Sequence, residues 1–308
     1  MALTSSWLDR LALPAIAAPM TAVSGPDLVI AACRAGVIGS FPTHNAATPE
    51  ILDDWLHRFR REIPDTAAPV APNLVVHRSN KRLAADLACV VTHRVELVIT
   101  SVGNPAAVVE PLHAAGAQVY TDVATLRHAR QALEAGADGL VLLTAGAGGQ
   151  TGWLNPFAFV RAVREHFDGP LVLAGGMSDG HAVYAAQILG VDLAYLGTRF
   201  IATRESLAAD DYRQALTTAT LDDVRLSDRV GGIPASLLAC WLDQQRHPEL
   251  SGDGFAQDRL LDNGDAWSAG HSVSGIHAVS GVAELVDTLA REYRDARATT
   301  RKLPSAGT

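Results

Sequence analysis

Short apolar runs, each followed by a stretch of helical length, recur eight times between residues 15 and 218. Such alternation restricts a chain to a parallel sheet covered by helices, because parallel strands need long crossovers and bury both faces. The spacing predicts strands over 15–18, 37–41, 69–75, 96–101, 117–120, 139–144, 170–174 and 193–197. Helices are expected over 26–35, 48–61, 80–93, 105–115, 124–135, 156–166, 179–189 and 206–218. A doubly wound open sheet shows the same alternation, but the count of eight favours a (β/α)8 TIM barrel. Helix boundaries are marked as well. Gly36, Gly116, Gly136 and Gly190 follow helices as C-caps, and Asn104-Pro105 and Asn155-Pro156 open two others.

Three strand ends are rich in glycine. Leu140-Val-Leu-Leu-Thr144 runs into Ala-Gly-Ala-Gly-Gly-Gln150-Thr-Gly152, Leu171-Val-Leu-Ala174 into Gly175-Gly176, and Leu193-Ala-Tyr-Leu196 into Gly197-Thr198. Each alone is a common tight turn. On strands six, seven and eight of one barrel they form a rim of bare amides before helix starts, suited to a phosphate and to a flat ring lying close to the backbone.

The barrel is expected over 1–218. Residues 219–280 break the alternation and read as a small helical insert, or lid, over the C-terminal mouth. A helix over 281–298 with an apolar stripe should pack back on the barrel, and 299–308 reads as a flexible tail. The net charge of -8 and the lack of a basic run argue against nucleic acid. No apolar run reaches the roughly 18 residues of a membrane span. Cys33, Cys89 and Cys240 are odd in number and flanked by apolar residues, so all three are expected as buried free thiols. With no signal-peptide pattern at the N-terminus, a cytoplasmic location is expected. No metal site is expected, since neither His-x-x-x-His nor Cys-x-x-Cys occurs. Among the histidines, His57, His93, His113, His128 and His166 fall on expected helices and read as outer-face residues.

Taken together, several motifs are specific: Ala18-Pro19-Met20 after the first strand, Asn73 at the end of the third, Ala147-Gly148-Gly149-Gln150-Thr151-Gly152, Ala174-Gly175-Gly176-Met177, and Gly197-Thr198-Arg199-Phe200. With Gly231-Gly232-Ile233-Pro234 and Ala269-Gly270-His271-Ser272, they make the sequence resemble the FMN-dependent nitronate monooxygenases. The resemblance implies FMN over the C-terminal mouth, its phosphate on Gly175, Gly176, Gly197 and Thr198. Ala18, Pro19 and Met20 would lie by the ring, Asn73 would hydrogen-bond the ring or ribityl chain, and Gly148, Gly149, Gln150 and Met177 would complete the cofactor site.

Members of that family with nitronate activity usually carry histidine at the position of Gln150, as base or electrostatic partner. An amide cannot take a proton. Gln150 is therefore expected to steer a carbonyl or flavin oxygen, with His44, His77 or His271 as candidate replacement bases. The resemblance implies an oxidoreductase acting with oxygen on a small nitronate-type substrate. The alternatives are an NAD(P)H-driven reductase or dehydrogenase of a quinone, enoyl or CoA-linked substrate, and a flavin-binding protein without turnover. A homodimer is left open.

Overall fold

The computed structural model describes residues 7–244 and 254–300. Eight parallel strands close into a barrel. They are β1 (Ala15–Ala17), β2 (Ile38–Pro42), β3 (Val70–Val75), β4 (Leu97–Ser101), β5 (Gln118–Val123), β6 (Gly139–Leu143), β8 (Leu171–Ala174) and β9 (Leu193–Leu196), with β7 (Gly149–Gln150) standing outside the barrel. Closure is made by β1 against β9, with Ile16 opposite Tyr195. The crossovers are α1 (Pro26–Arg34), α2 (Pro49–Glu62), α3 (Leu83–His93), α4 (Ala106–Ala114), α5 (Leu126–Glu134), α6 (Pro156–Arg164) and α7 (Gly180–Leu189). After β9 come α8 (Thr198–Ile201) and α9 (Asp210–Thr218), so the last expected helix, 206–218, starts four residues late.

Alternation along each strand sorts the core into two shells. Ile16, Ile38, Ala71, Ile99, Val141, Val172 and Leu193 fill the barrel. Leu140, Leu142, Leu171, Leu173 and Leu196 instead meet helix residues such as Phe159, Val163 and Val183. Both faces of each strand are thus apolar, as a parallel sheet requires. Trp7, with Leu8 and Leu11 against it, joins the inner shell and closes the barrel at the strand N-termini. The opposite end is left for polar groups.

The segment 219–280 carries strands as well as short helices. β10 (Val224–Ser227) and β11 (Ala235–Leu238) pair antiparallel, and β11 also pairs with β7, Ala235 opposite Gln150. The apolar stretch 235–242, within the segment expected to be a helical insert, divides at Leu238 and continues as α10 (Ala239–Gln244); α11 (Gln257–Asp262) follows. The strand half is fixed by its partners, which the sequence does not display. The remaining helix, α12 (Val282–Thr300), buries Leu285, Val286 and Leu289 and packs on α7 and α1. Residues 299–300 of the expected tail are helical, and 301–308 lie outside the described residues. No helix among the described residues is long and apolar enough to cross a membrane.

Gly180 lets α7 and α12 approach. A Cβ there would fall on the backbone of Leu289 and Tyr293. Rigid backbone cannot give way as a flexible side chain can, so Gly180→Ala should destabilise the fold by about 1–3 kcal/mol. A lower denaturant midpoint with an unchanged slope is the expected result, and an unchanged midpoint would contradict it.

Candidate active site

The loops at the strand C-termini and the insert enclose a cavity of about 1360 Å³, counting the part open to solvent. That is ample for a cofactor-sized ligand. Ala18, Pro19, Met20 and Asn73 line it, as do Gly148, Gly149, Gln150, Gly175, Gly176, Met177, Gly197 and Thr198. From the insert come Val230, Ile233, Leu260, Asn263 and Ser268.

The walls are braced by hydrogen bonds between distant loops. Asn45 holds the loop after β1: its Nδ2 donates to the carbonyls of Met20 (2.9 Å) and Ser24 (3.0 Å), and its Oδ1 accepts from the Ala22 amide (2.9 Å). The Gly146 carbonyl accepts from the amides of His271 (2.9 Å) and Gly176 (3.3 Å). The Thr198 hydroxyl accepts from the Gly270 amide at 2.9 Å, which leaves its own hydrogen free to donate. Asn73 is buried; its Oδ1 accepts from Ser101 Oγ at 3.1 Å and its Nδ2 donates to the Ile99 carbonyl at 3.4 Å, leaving the amide half of its capacity.

The glycine rim is partly committed. The Gly176 amide is used by Gly146, and the N-terminus of α7 is filled by carboxylates: Asp179 accepts from the Ala182 amide (2.8 Å) and Glu292 from the Gly180 amide (2.9 Å). The dipole of α7 is therefore already answered, contrary to the sequence expectation. The rim still has a cradle's shape. Gly175 and Gly176 have φ of +141° and +69°, and a Cβ at Gly176 would meet nothing within 4 Å. Side chains are thus kept out of a space that a ligand can fill.

Of the expected bases, only His44 lines the cavity. Its Nε2 lies 3.0 Å from Thr21 Oγ1, and burial with the nearby Arg82 charge lowers its pKa to about 4. It is neutral at physiological pH and a weak base. His77 stands off the cavity, bonded to Ser79 Oγ (2.8 Å) and edge-on to Phe255. His271 is exposed beside Gly146, outside the lining. Gln150 lines the cavity from β7.

Sequence reasoning missed the floor. β5 continues through Asp122, and Asp122, Ser101 and Tyr195 all line the cavity. Asp122 keeps some surface against the cavity while its Oδ1 is sealed and has no hydrogen-bond partner. Burial alone raises its pKa to about 8. The Tyr195 hydroxyl is likewise buried without a partner, and burial, then the neighbouring Asp122, pushes its pKa far up. Tyr212 lines the cavity too, stacked on Trp267, its hydroxyl donating to the Ser268 carbonyl at 2.5 Å.

Two expectations away from the mouth need correction. His93 is buried rather than on the outer face, because α3 packs on α2 and its Nε2 meets Asp53 Oδ1 at 2.7 Å. Nor are the cysteines alike. Cys33 is buried and its thiol is pushed up to about 12; Cys89 is half-buried and pushed up to about 11; Cys240 is exposed, because α10 turns Trp241 inward instead. The thiolate is the reactive form, so a maleimide should label Cys240 first and Cys33 roughly 100-fold more slowly or not at all before denaturation. Equal rates would contradict this burial pattern.

The nitronate monooxygenase family model matches residues 44–250, more than half of the chain. A Rhodococcus jostii protein, (3aS,4S,5R,7aS)-5-hydroxy-7a-methyl-1-oxo-octahydro-1H-indene-4-carboxyl-CoA dehydrogenase, is 27% identical over 225 residues. That match covers 73% of this chain and 62% of the relative, so the chain spans less than two thirds of that protein's length. Nitronate monooxygenase from Paraburkholderia phytofirmans is 29% identical over 245 residues, covering 66% of this chain and 67% of the relative. Nitroalkane oxidase from Streptomyces ansochromogenes superposes with a TM-score of 0.83 at 25% identity, over 96% of this chain and all (100%) of that one. FabK from Thermotoga maritima shares the fold, with a TM-score of 0.81 at 22% identity over 96% of each chain. The chain is an oxidoreductase and belongs to the nitronate monooxygenase family.

Proposed function

We propose that the cavity binds FMN and that the enzyme oxidises a small organic substrate that arrives already as a delocalised anion, a nitronate or a similar carbanion, with oxygen as acceptor. The cofactor fits what the site offers: an open cradle over Gly176, a wall at Gly197 whose added Cβ would meet only the Met20 and Ala18 side chains at 3.7 and 3.8 Å, and unpartnered polar atoms on the floor. Gly175, Gly176, Gly197 and Thr198 would hold the phosphate, with the free Thr198 hydroxyl hydrogen supplementing the partly committed amides. Ala18, Pro19, Met20 and Asn73 would flank the ring. When bound, FMN supplies the electron-accepting chemistry, and the protein supplies position and electrostatics.

The observation that carries the substrate reading is Gln150 on the cavity lining, an amide at the position where the resemblance leads one to expect a histidine base. Gln150 cannot take a proton, burial makes His44 a weak base, Tyr195 holds its proton, and Asp122, raised to about 8, is mostly protonated at neutral pH. A neutral carbon acid would need its proton removed first, and a preformed nitronate would not. The Gln150 side-chain amide can orient such an anion by donating hydrogen bonds.

A second reading is favoured by Gln150 together with the Rhodococcus jostii relative: reduction of a CoA-linked substrate by NAD(P)H, or dehydrogenation of such a substrate with electrons passing through the flavin to an oxidised acceptor. One experiment separates the two. Propane-2-nitronate should drive oxygen uptake by the FMN-loaded enzyme. No uptake, with NADH oxidised anaerobically when an enoyl-CoA is supplied, would overturn the first reading in favour of the second.

A further inference from the structure

Ser101 and Asn73 bond one another. Asp122 on β5 and Tyr195 on β9 stand apart: both line the cavity, and Asp122 Oδ1 and the Tyr195 hydroxyl are sealed from solvent without a hydrogen-bond partner. Leaving one such group unpaired is costly, and native interiors seldom do so without a reason. Two in one cavity, at the C-terminal ends of barrel strands where barrel chemistry sits, point to a shared ligand atom.

We propose that Asp122, as a neutral carboxylic acid, and Tyr195 form a two-donor site for an oxygen that carries delocalised negative charge. The inference rests on reading the cavity as a ligand site and deepens it by naming what the floor recognises. Both groups must be protonated to donate, and the surroundings hold them so. Around Asp122, β4 presents Ile99 and Ser101, and β6 presents Val141 and Leu143, none of them titratable. On its own strand the neighbouring inward residue is Tyr120, itself pushed up by burial. His44 and Tyr212, the other titratable groups on the lining, are respectively neutral and bonded to Ser268. Among the described residues no cation offsets the burial, which raises the Asp122 pKa to about 8. An acid kept neutral by an apolar site, paired with a tyrosine hydroxyl, is an established oxyanion device in other enzymes. Above pH 8 the carboxylate would repel the same anion. The charged oxygen can come from a substrate such as a nitronate or enolate, or from the flavin ring.

The test uses 2,4-dinitrophenolate, an anion across the whole pH range, titrated into the FMN-loaded protein, with FMN affinity of the apoprotein measured alongside. Wild-type dinitrophenolate affinity should be constant from pH 6 to about 7.5 and fall above about 8. Tyr195→Phe and Asp122→Leu should each lose about tenfold or more. Asp122→Asn, which keeps a donor but cannot ionise, should retain affinity and lose the pH dependence. Losses confined to FMN affinity, with the same variant pattern, would support the site and assign its oxygen to the cofactor. Wild-type affinities and pH profiles in both Tyr195→Phe and Asp122→Asn would overturn it, and a bridging water would give that result. If FMN does not bind at all, dinitrophenolate titrated into the protein as purified still reads the donor pair, so the two ideas fail separately.

Discussion

Gly176→Val should cost about two orders of magnitude in FMN affinity while leaving the barrel folded. The backbone at Gly176 has φ of +69°, a conformation that a β-branched residue adopts only with strain on the order of 1–3 kcal/mol. Its Cβ would meet no protein atom within 4 Å, so the added bulk projects into the open cavity rather than into the core. The strain falls on the folded backbone, while the occlusion falls on the ligand. The Gly176 amide also reaches the Gly146 carbonyl, and a shift there would disturb the loop after β6, which carries Gly148 and Gly149. Titrating FMN into the apoprotein and following its fluorescence gives the affinity directly. Unchanged affinity in a folded variant would place the phosphate elsewhere on the rim.

Gln150→His should raise activity on neutral nitroalkanes by roughly 10²–10⁴-fold, the usual worth of a placed general base. Position 150 is held by the pairing of β7 with β11 and lines the cavity, so a new imidazole there has a rigid support and access to ligand. Its unperturbed pKa near 6.5 sets the sign of the pH dependence: the neutral ring is the base, so the gained activity should rise as pH climbs through about 6–7. Turnover of a preformed nitronate should change little, since no proton needs removing. Steady-state rates on nitroethane and on its nitronate, across pH, check both parts. Efficient wild-type turnover of the neutral compound would show that His44 or another group already serves as base.

The barrel was legible because its signals are local. Four helices end at a glycine that takes a left-handed φ (Gly36 at 86°, Gly116 at 90°, Gly136 at 92° and Gly190 at 114°), and the barrel strands are short, largely apolar runs. The glycine mouth was legible for the same reason, and all twelve residues that the resemblance implies for the cofactor line one cavity. What stayed hidden depends on partners far along the chain. Glu292 reaches the N-terminus of α7 from 112 residues away, so the occupied helix end could not be read from Ser178-Asp179. A two-residue strand such as β7 has no period to detect, and its partner 235–238, Ala-Ser-Leu-Leu, is too short for its single polar residue to separate strand from helix. Asp122 was missed because an acidic residue after Tyr120-Thr121 looks like the end of a strand. It is instead an inward strand position facing a cavity, where burial raises its pKa and favours the neutral acid. The burial of His93 needed the α2–α3 pairing that brings Asp53 to it.

The cavity at the barrel mouth is proposed as an FMN site. The most direct measurement is the visible spectrum of the purified protein, with the cofactor released by denaturation and identified by mass. The expected result is a yellow protein with about one FMN per chain, as one phosphate cradle allows, or a colourless one that takes up FMN stoichiometrically. A colourless protein that binds no added FMN would contradict the account.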